Sequence, residues 1–405
     1  MKRVLVLEGR YFPKASANTI CMQNVLDSLE KNLYEVDIIC YKDGLENENK
    51  NVYKISRGLI QSLLYNIENK TSQWCLLLRK ILQLLIMGKQ FLLSPLFPLS
   101  DPIFTLRELL LAEKLHKRNN YDIIIAVHMP LSSLIVGSIM KYKHRTLHYY
   151  PYFLDSLIGG NYPRFISRNK YEKQAMRWEK HLTKNADKII YMKSAKEHHQ
   201  NVFDAELMNR KIVYLDIPLL KNIKKSFDKN SGEEILFVYL GSIPLTVRSP
   251  KYFLEIFIRC KYPNWRLIFV GSDRCNLLYE YKKIDYRIEI LSSLPHDDAL
   301  EYVRKADVLL NFGNNNPNLT PSKIFEYMSY GKKIISTYPI QADTSIKYLK
   351  KYKNSLLLDE SKPITDAVLQ EVKMFATDSE VEIDETELMQ EFYDNTPQAF
   401  IDAIT

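Results

Sequence analysis

Glycine is scarce in this chain, 12 of 405 residues, and no Gly-x-Gly-x-x-Gly follows any apolar run that reads as a strand. Such sites bring bare backbone against a pyrophosphate, so a nucleotide-dependent dehydrogenase is not expected; no P-loop is present either. The five cysteines, Cys21, Cys40, Cys75, Cys260 and Cys275, are odd in number and lack metal or redox spacing. They read as reduced, mostly packed thiols of a cytoplasmic protein. No Asp-x-Asp occurs, so there is no carboxylate pair of the kind that holds a divalent ion on a diphosphate, and no metal is expected. No uninterrupted apolar run approaches the ~18 residues needed to cross a bilayer. Nucleic-acid recognition motifs are absent too. The excess of 56 Lys and Arg over 48 Asp and Glu is dispersed, so it favours anionic small molecules or a lipid headgroup surface and sets nucleic acid aside.

What is present is the material of a two-domain α/β protein, since 405 residues exceed one ordinary core and 46% are apolar. MetLysArgValLeuValLeuGlu has only four apolar residues before Glu8 and reads as a first strand, 3–8, rather than a signal peptide. A loop to Asn18 and a helix from about Thr19 to Lys31 follow. GluValAspIleIleCys (35–40), TyrAspIleIleIleAlaVal (121–127) and a stretch at 147–156 read as further strands, and 168–182 as a helix. The basic, polar residues after 217 read as a linker. The expected division is 1–217, with a helical insertion at about 59–118, and 218–405. Strands are expected again at 234–241, 265–272, 288–295 and 306–312, alternating with helices.

Residues 314–335, AsnAsnAsnProAsnLeuThrProSerLysIlePheGluTyrMetSerTyrGlyLysLysIleIle, carry the strongest signal. Thr320 as N-cap and Pro321 at the first helical position predict a helix of about three turns, which Gly331 ends before a buried strand. A helix entering just after a strand's carboxyl end turns free N–H groups toward the crevice where α/β proteins hold phosphates. Ser322 and Lys323 add a hydroxyl and an ammonium there, and Glu326 one turn on is an acceptor suited to sugar hydroxyls.

The run ProSerLysIlePheGluTyrMetSerTyrGlyLys, followed by IleIle, resembles the nucleotide-sugar signature in the C-terminal domain of GT-B glycosyltransferases, in particular the large retaining family numbered 4. The resemblance covers most of 3–40 and 121–358 and is strong only in 234–336. It implies two Rossmann-like domains facing each other across a cleft: an acceptor domain, then a nucleotide-sugar donor domain. Glu326 matches the glutamate that binds the donor ribose. Asn318 stands where the family usually has the first glutamate of a Glu-x7-Glu pair, which puts the reading of the donor sugar's hydroxyls in question. Arg248 matches a diphosphate-binding cation, while Ser242 replaces a second arginine. Gly241, Gly271, Ser272 and the turn at Leu294 fall where the family's donor loops lie, together with Pro321, Ser322 and Lys323. His128, directly after the 121–127 strand, matches a histidine that contacts sugar, though a structural histidine fits the same pattern. Ser16, Asn18 and Asp155 match acceptor-side loop positions, and for Ser16 and Asn18 a plain connecting loop remains equally open.

Breaking a bond to a nucleoside diphosphate requires holding the departing charge, by a metal or by fixed cations and a helix end. Arg248, Lys323 and the helix at Pro321 offer the second, so transfer without a metal or other cofactor is expected. The implied reaction moves a sugar from a nucleotide sugar to a glycan or lipid-linked acceptor in cell-surface polysaccharide synthesis. The alternative is a non-catalytic GT-B-like scaffold or regulatory subunit. If 72–93 is helical, Gln73, Lys80, Gln83 and Gln90 form one narrow polar stripe on an otherwise Leu-, Ile-, Trp- and Phe-covered cylinder. That helix either packs on the first domain or lies on the inner face of the plasma membrane.

Overall fold

The computed structural model describes residues 1–12, 16–30, 32–42, 51–67, 72–154, 157, 165–196, 199, 211–223, 234–317, 321–378 and 382–405. Its contacts divide the chain into two units, Met1–Pro218 with Pro397–Thr405, and Leu219–Thr396.

Among the described residues the first unit runs β1 (Lys2–Leu7), α1 (Ala17–Ser28), β2 (Tyr34–Tyr41), β3 (Val52–Ile55), α2 (Leu59–Ile67), α3 (Gln73–Leu93), α4 (Pro102–Asn119), β4 (Ile123–Val127), α5 (Leu131–Lys143), β5 (His148–Phe153), α6 (Arg168–Thr183), β6 (Ile189–Met192) and β7 (Ile212–Leu215). The second runs β8 (Ile235–Leu240), α7 (Lys251–Cys260), β9 (Trp265–Val270), α8 (Asn276–Ile284), β10 (Ile288–Leu291), α9 (His296–Lys305), β11 (Val308–Phe312), α10 (Lys323–Met328), β12 (Lys333–Tyr338), α11 (Thr344–Leu349), β13 (Ser355–Asp359), α12 (Asp366–Thr377) and α13 (Glu385–Glu391). A last helix, α14 (Pro397–Ile404), belongs to the first unit.

The strands form a seven-stranded sheet, β3-β2-β1-β4-β5-β6-β7, and a six-stranded sheet, β10-β9-β8-β11-β12-β13, every pairing parallel. Parallel strands need crossover helices, which cover both faces, so their sequences are apolar throughout rather than alternating. In β1 and β4 successive residues go to opposite faces. Leu5, Leu7, Ile124 and Ala126 pack under α4, α5 and α6, while Val4, Val6, Ile123 and Ile125 pack under α1 and α14. Gly137 of α5 permits a close approach: a Cβ there would lie 2.5 Å from the Tyr149 ring. The second sheet buries Phe237, Phe269, Leu310 and Phe312 against Phe253, Phe257 and Leu278.

Two expectations differ from the structure. The first helix begins at Ala17, because Ser16 accepts a hydrogen bond from Thr19 N at 3.2 Å as N-cap and so stops the loop earlier than Asn18. A single boundary at 217 assigns 397–405 to the second unit, yet α14 covers the β1 face of the first sheet. Phe400 is 1% exposed and its ring meets Tyr152 edge-on at 4.8 Å. Without this helix part of that face would meet water. Replacing Phe400 with Ala should destabilise the first unit by about 3–5 kcal/mol, seen as a lower denaturation midpoint; an unchanged midpoint would show that α14 is dispensable.

Candidate functional site

The second sheet has the 3-2-1-4-5-6 strand order, so its crossovers run in opposite directions from β8 and β11. The carboxyl ends of those two strands flank the switch point, where open α/β sheets bind ligands. β8 leaves the sheet at Gly241, φ 118°, with its N–H donating to Val270 O at 2.7 Å. β9 leaves at Gly271, φ 80°, donating to Leu291 O at 2.9 Å. Both backbones lie in the left-handed region that glycine alone enters without penalty. At Gly241 a Cβ would also meet the flexible end of Lys323, which would have to move aside.

Lys323 Nζ donates to the carbonyl of Leu240, the last residue of β8, and the N–H of that same residue donates to Tyr327 OH at 3.2 Å. Lys323 and Tyr327 are one helical turn apart, so α10 grips the end of β8 with two side chains. Burial pushes the Lys323 ammonium down to about 8; Glu326 opposes that shift and Arg248 adds to it. Arg248, in the loop between β8 and α7, donates from Nη1 to Tyr239 OH at 3.4 Å, and its Nε is buried with no hydrogen-bond partner. The loop is held from the β11 side: Asn315 donates from its backbone N to Val247 O and from Nδ2 to Thr246 O, both at 2.9 Å. Glu326 Oε1 lies 3.3 Å from Nε2 of His296, the first residue of α9. The site thus holds two cations that form no ion pair among the described residues, Glu326 being the carboxylate that acts on Lys323, a condition favourable to an anionic ligand.

Of the expected donor-side residues, Gly241, Arg248, Lys323 and Glu326 converge here. Ser272 is buried and its hydroxyl donates to Gly241 O, so it braces the turn. Gly271 shapes the neighbouring turn, and Leu294 lies partly exposed in the loop between β10 and α9. The expectation of a three-turn helix starting at Pro321 is corrected. α10 spans Lys323–Met328, Pro321 is buried ahead of it, and Ser322 is its N-cap without a side-chain bond. The first turn closes tightly, Phe325 N to Ser322 O at 3.3 Å, and the last ends on Gly331 N to Met328 O at 2.9 Å. Tight turns at both ends leave six α-helical residues, so the helix dipole is a minor contributor and the two cations carry the electrostatics. Thr320 and Asn318 lie outside the described residues, as does Asp155. A cavity of about 470 Å³ lined by Lys351, Lys353, Glu387 and Glu391 sits just before β13, at the amino edge of the sheet; the ion pairs Lys351–Glu391 and Lys353–Glu387 already satisfy its charges.

At the matching switch point of the first sheet, His128 follows β4 but is buried, its ring tilted 41° to that of Phe153 at 5.3 Å, and its carbonyl accepts from Asn18 Nδ2 at 2.9 Å. Asn18 therefore ties α1 to the end of β4, and the Ser16 hydroxyl is engaged as a cap. Beside them the carboxyl of Glu8, directly after β1, is 2% exposed, and neither oxygen has a hydrogen-bond partner. Burial raises it to about 8. The sequence carried one signal for this group, an acid closing an otherwise apolar strand.

Glu8 makes stability depend on pH. Below 4.5 it is neutral folded and unfolded; between 4.5 and about 8 only the folded chain keeps the proton, so stability falls as pH rises through that window, by at most about 1.4 kcal/mol per pH unit. Glu8→Gln should flatten this fall in denaturation midpoints measured from pH 5 to 9. A slope identical to that of the unsubstituted chain would show that Glu8 is ionised in the fold.

No family model matches the sequence, and no curated protein matches it either. Solved structures do match over the whole chain. The apo form of a lipopolysaccharide outer core galactosyltransferase, WaaB, is 14% identical with TM-score 0.52, covering 100% of this chain and 99% of that one. The glycotransferase of kitacinnamycin is 11% identical with TM-score 0.54, covering 99% and 98%. A putative UDP-N-acetylglucosamine 2-epimerase from Listeria monocytogenes is 11% identical with TM-score 0.54, covering 98% and 91%. With its two Rossmann-like units built on seven- and six-stranded parallel sheets, this chain has the fold that these transferases and epimerases share, the GT-B fold.

Proposed function

We propose that the chain is a glycosyltransferase that takes a sugar from a nucleoside-diphosphate donor to a glycan or lipid-linked acceptor. The observation that carries this reading is the pair of cations, Lys323 and Arg248, held without an ion pair among the described residues at the β8–β11 switch point beside Glu326. In this reading Arg248 and Lys323 hold the diphosphate and stabilise the charge it gains as the glycosidic bond breaks, and Glu326 accepts hydrogen bonds from the ribose. The work needs no divalent ion, consistent with a sequence lacking Asp-x-Asp. Retention of configuration and a role in cell-surface polysaccharide synthesis belong to the same proposal. The likeness to a lipopolysaccharide outer core galactosyltransferase and to the glycotransferase of kitacinnamycin supports it.

A second reading is favoured by the epimerase neighbour, which matches as well as the transferases do. An epimerase would use the same nucleotide site and need no acceptor. A non-catalytic scaffold, suggested by Asn318 in place of a glutamate, would bind the nucleotide or nothing and turn over neither. Product analysis separates the three: transfer yields a free nucleoside diphosphate and a glycosylated acceptor, while epimerisation changes only the nucleotide sugar.

Calorimetry with a panel of nucleoside diphosphates tests the binding site. Glu326→Gln and Arg248→Ala should each weaken binding by about 1.5–3 kcal/mol, and unchanged affinity in both would overturn the assignment. Because the Lys323 ammonium titrates near 8 in the free chain, a bound diphosphate should raise it. Binding should then take up protons around pH 8 and weaken as pH rises above it, detected as a dependence of binding enthalpy on the buffer's ionisation heat.

The metal question has its own measurement. Enzyme treated with chelator should retain its transfer rate; activity lost and restored only by magnesium or manganese would place a cation in the mechanism.

A further inference from the structure

α3 touches the rest of its unit along one seam. Leu82 is its buried residue, and the half-buried Cys75, Arg79, Ile86 and Lys89 flank it at spacings of three and four. The seam settles the neighbours of the helix: Arg79 Nη2 donates to Ile67 O of α2 at 2.9 Å, and Lys89 pairs at 3.0 Å with Asp101, the N-cap of α4. A packed insertion would bury its apolar residues here.

They lie elsewhere. Trp74, Leu77, Ile81, Leu84 and Phe91 recur at three, four and seven, with Trp74 81% and Leu84 65% exposed. Leu78, Leu85 and Leu92 line the adjacent row and are exposed too. At about 100° per residue these two rows cover an arc of about 140°, wider than the narrow seam of a two-stranded coiled coil and comparable to the face that an interfacial helix immerses. The neighbouring helices expose apolar residues at helical spacing too: Leu59 and Leu63 of α2, and Ile103, Leu106 and Leu110 of α4. Among the described residues no helix is long and apolar enough to cross a membrane.

Charge identifies the occupant. Residues 51–107 contain seven Lys and Arg against two acids, Glu68 and Asp101, and thus hold five of the chain's eight net positive charges. Asp101 is neutralised by Lys89, and Glu108, the next acid, is fully buried. Of these cations the Lys54 ammonium is buried and Arg79 and Lys89 belong to the seam, so the exposed charges among the described residues of 51–107 are Lys80 and Arg107, both positive. An apolar arc accompanied by cations alone matches hydrocarbon lying beneath anionic headgroups, whereas a second copy of the chain would bring the same positive charge against it.

We propose that α2, α3 and α4 dock the first unit on an anionic lipid surface, with the exposed arc of α3 lying in the headgroup interface. The proposal is independent of the sugar-transfer reading, because vesicle binding and nucleotide binding can fail separately.

The test is flotation of the purified full chain with vesicles of phosphatidylglycerol and phosphatidylcholine, against phosphatidylcholine alone, at low salt. Binding to the anionic vesicles should exceed that to neutral ones at least tenfold. Leu77→Glu with Leu84→Glu should abolish it. Lys80→Glu with Arg107→Glu should remove the preference for anionic lipid. All substituted positions are exposed, so thermal midpoints and nucleotide affinity should be unchanged. No flotation with anionic vesicles, or flotation undiminished in the Leu77 and Leu84 variant, overturns the proposal. A lipid-free dimer seen by light scattering and broken by that same variant also overturns it, assigning the face to a second copy.

Discussion

A parallel sheet can exist in water only if helices cover both its faces, and this single requirement arranges the molecule. It makes β1 and β4 apolar at consecutive positions, sends Val4 and Val6 to one layer of helices and Leu5 and Leu7 to the other, and leaves the strand ends as the places where backbone groups and polar side chains can meet a ligand. The chemistry is therefore confined to the carboxyl edges, next to the strands at which the winding direction reverses. Even α14 obeys the rule, since without it part of the β1 face would be wet.

At the edge of the second sheet the constraint becomes electrostatic. A lysine enclosed against a main-chain carbonyl keeps its hydrogen bond but loses most of its hydration. The cost appears as the downward movement of its titration to about 8, worsened by the neighbouring guanidinium of Arg248. Glu326 offsets only part of this, because burial outweighs its attraction. A site that is under-compensated when empty is one that a doubly charged ligand stabilises, and that imbalance is a stronger pointer to a phosphate-bearing substrate than the short helix α10. At the first sheet the imbalance has the opposite form. Glu8 is buried without partners and stays neutral, so it can donate a hydrogen bond that an ionised carboxylate could not. The helical insertion shows a third response: α3 meets its unit through one seam and leaves its widest apolar arc to whatever surface lies outside.

The sequence by itself determined the elements and the class. Apolar runs bounded by Gly241, Gly271 and Gly331 marked strands and turns because these are local matters of periodicity and of backbone angles that glycine adopts. The 314–335 stretch pointed to Lys323 and Glu326, and the polar stripe of 72–93 announced a helix too apolar to be fully solvated. Tertiary structure decided the rest, since it depends on residues far apart in the chain. The Lys323 ammonium is held by a carbonyl 83 positions away, and Phe400 finds its place on Tyr152, far earlier in the chain. That the His128 ring is buried and that Ser16 caps α1 was not legible either, because burial and capping are settled by what packs against a residue and not by its type. Which side of α3 faces protein and which faces outward was equally beyond pattern alone: its periodicity gives the arc, and only the position of Arg79, Leu82 and Lys89 on their neighbours orients it.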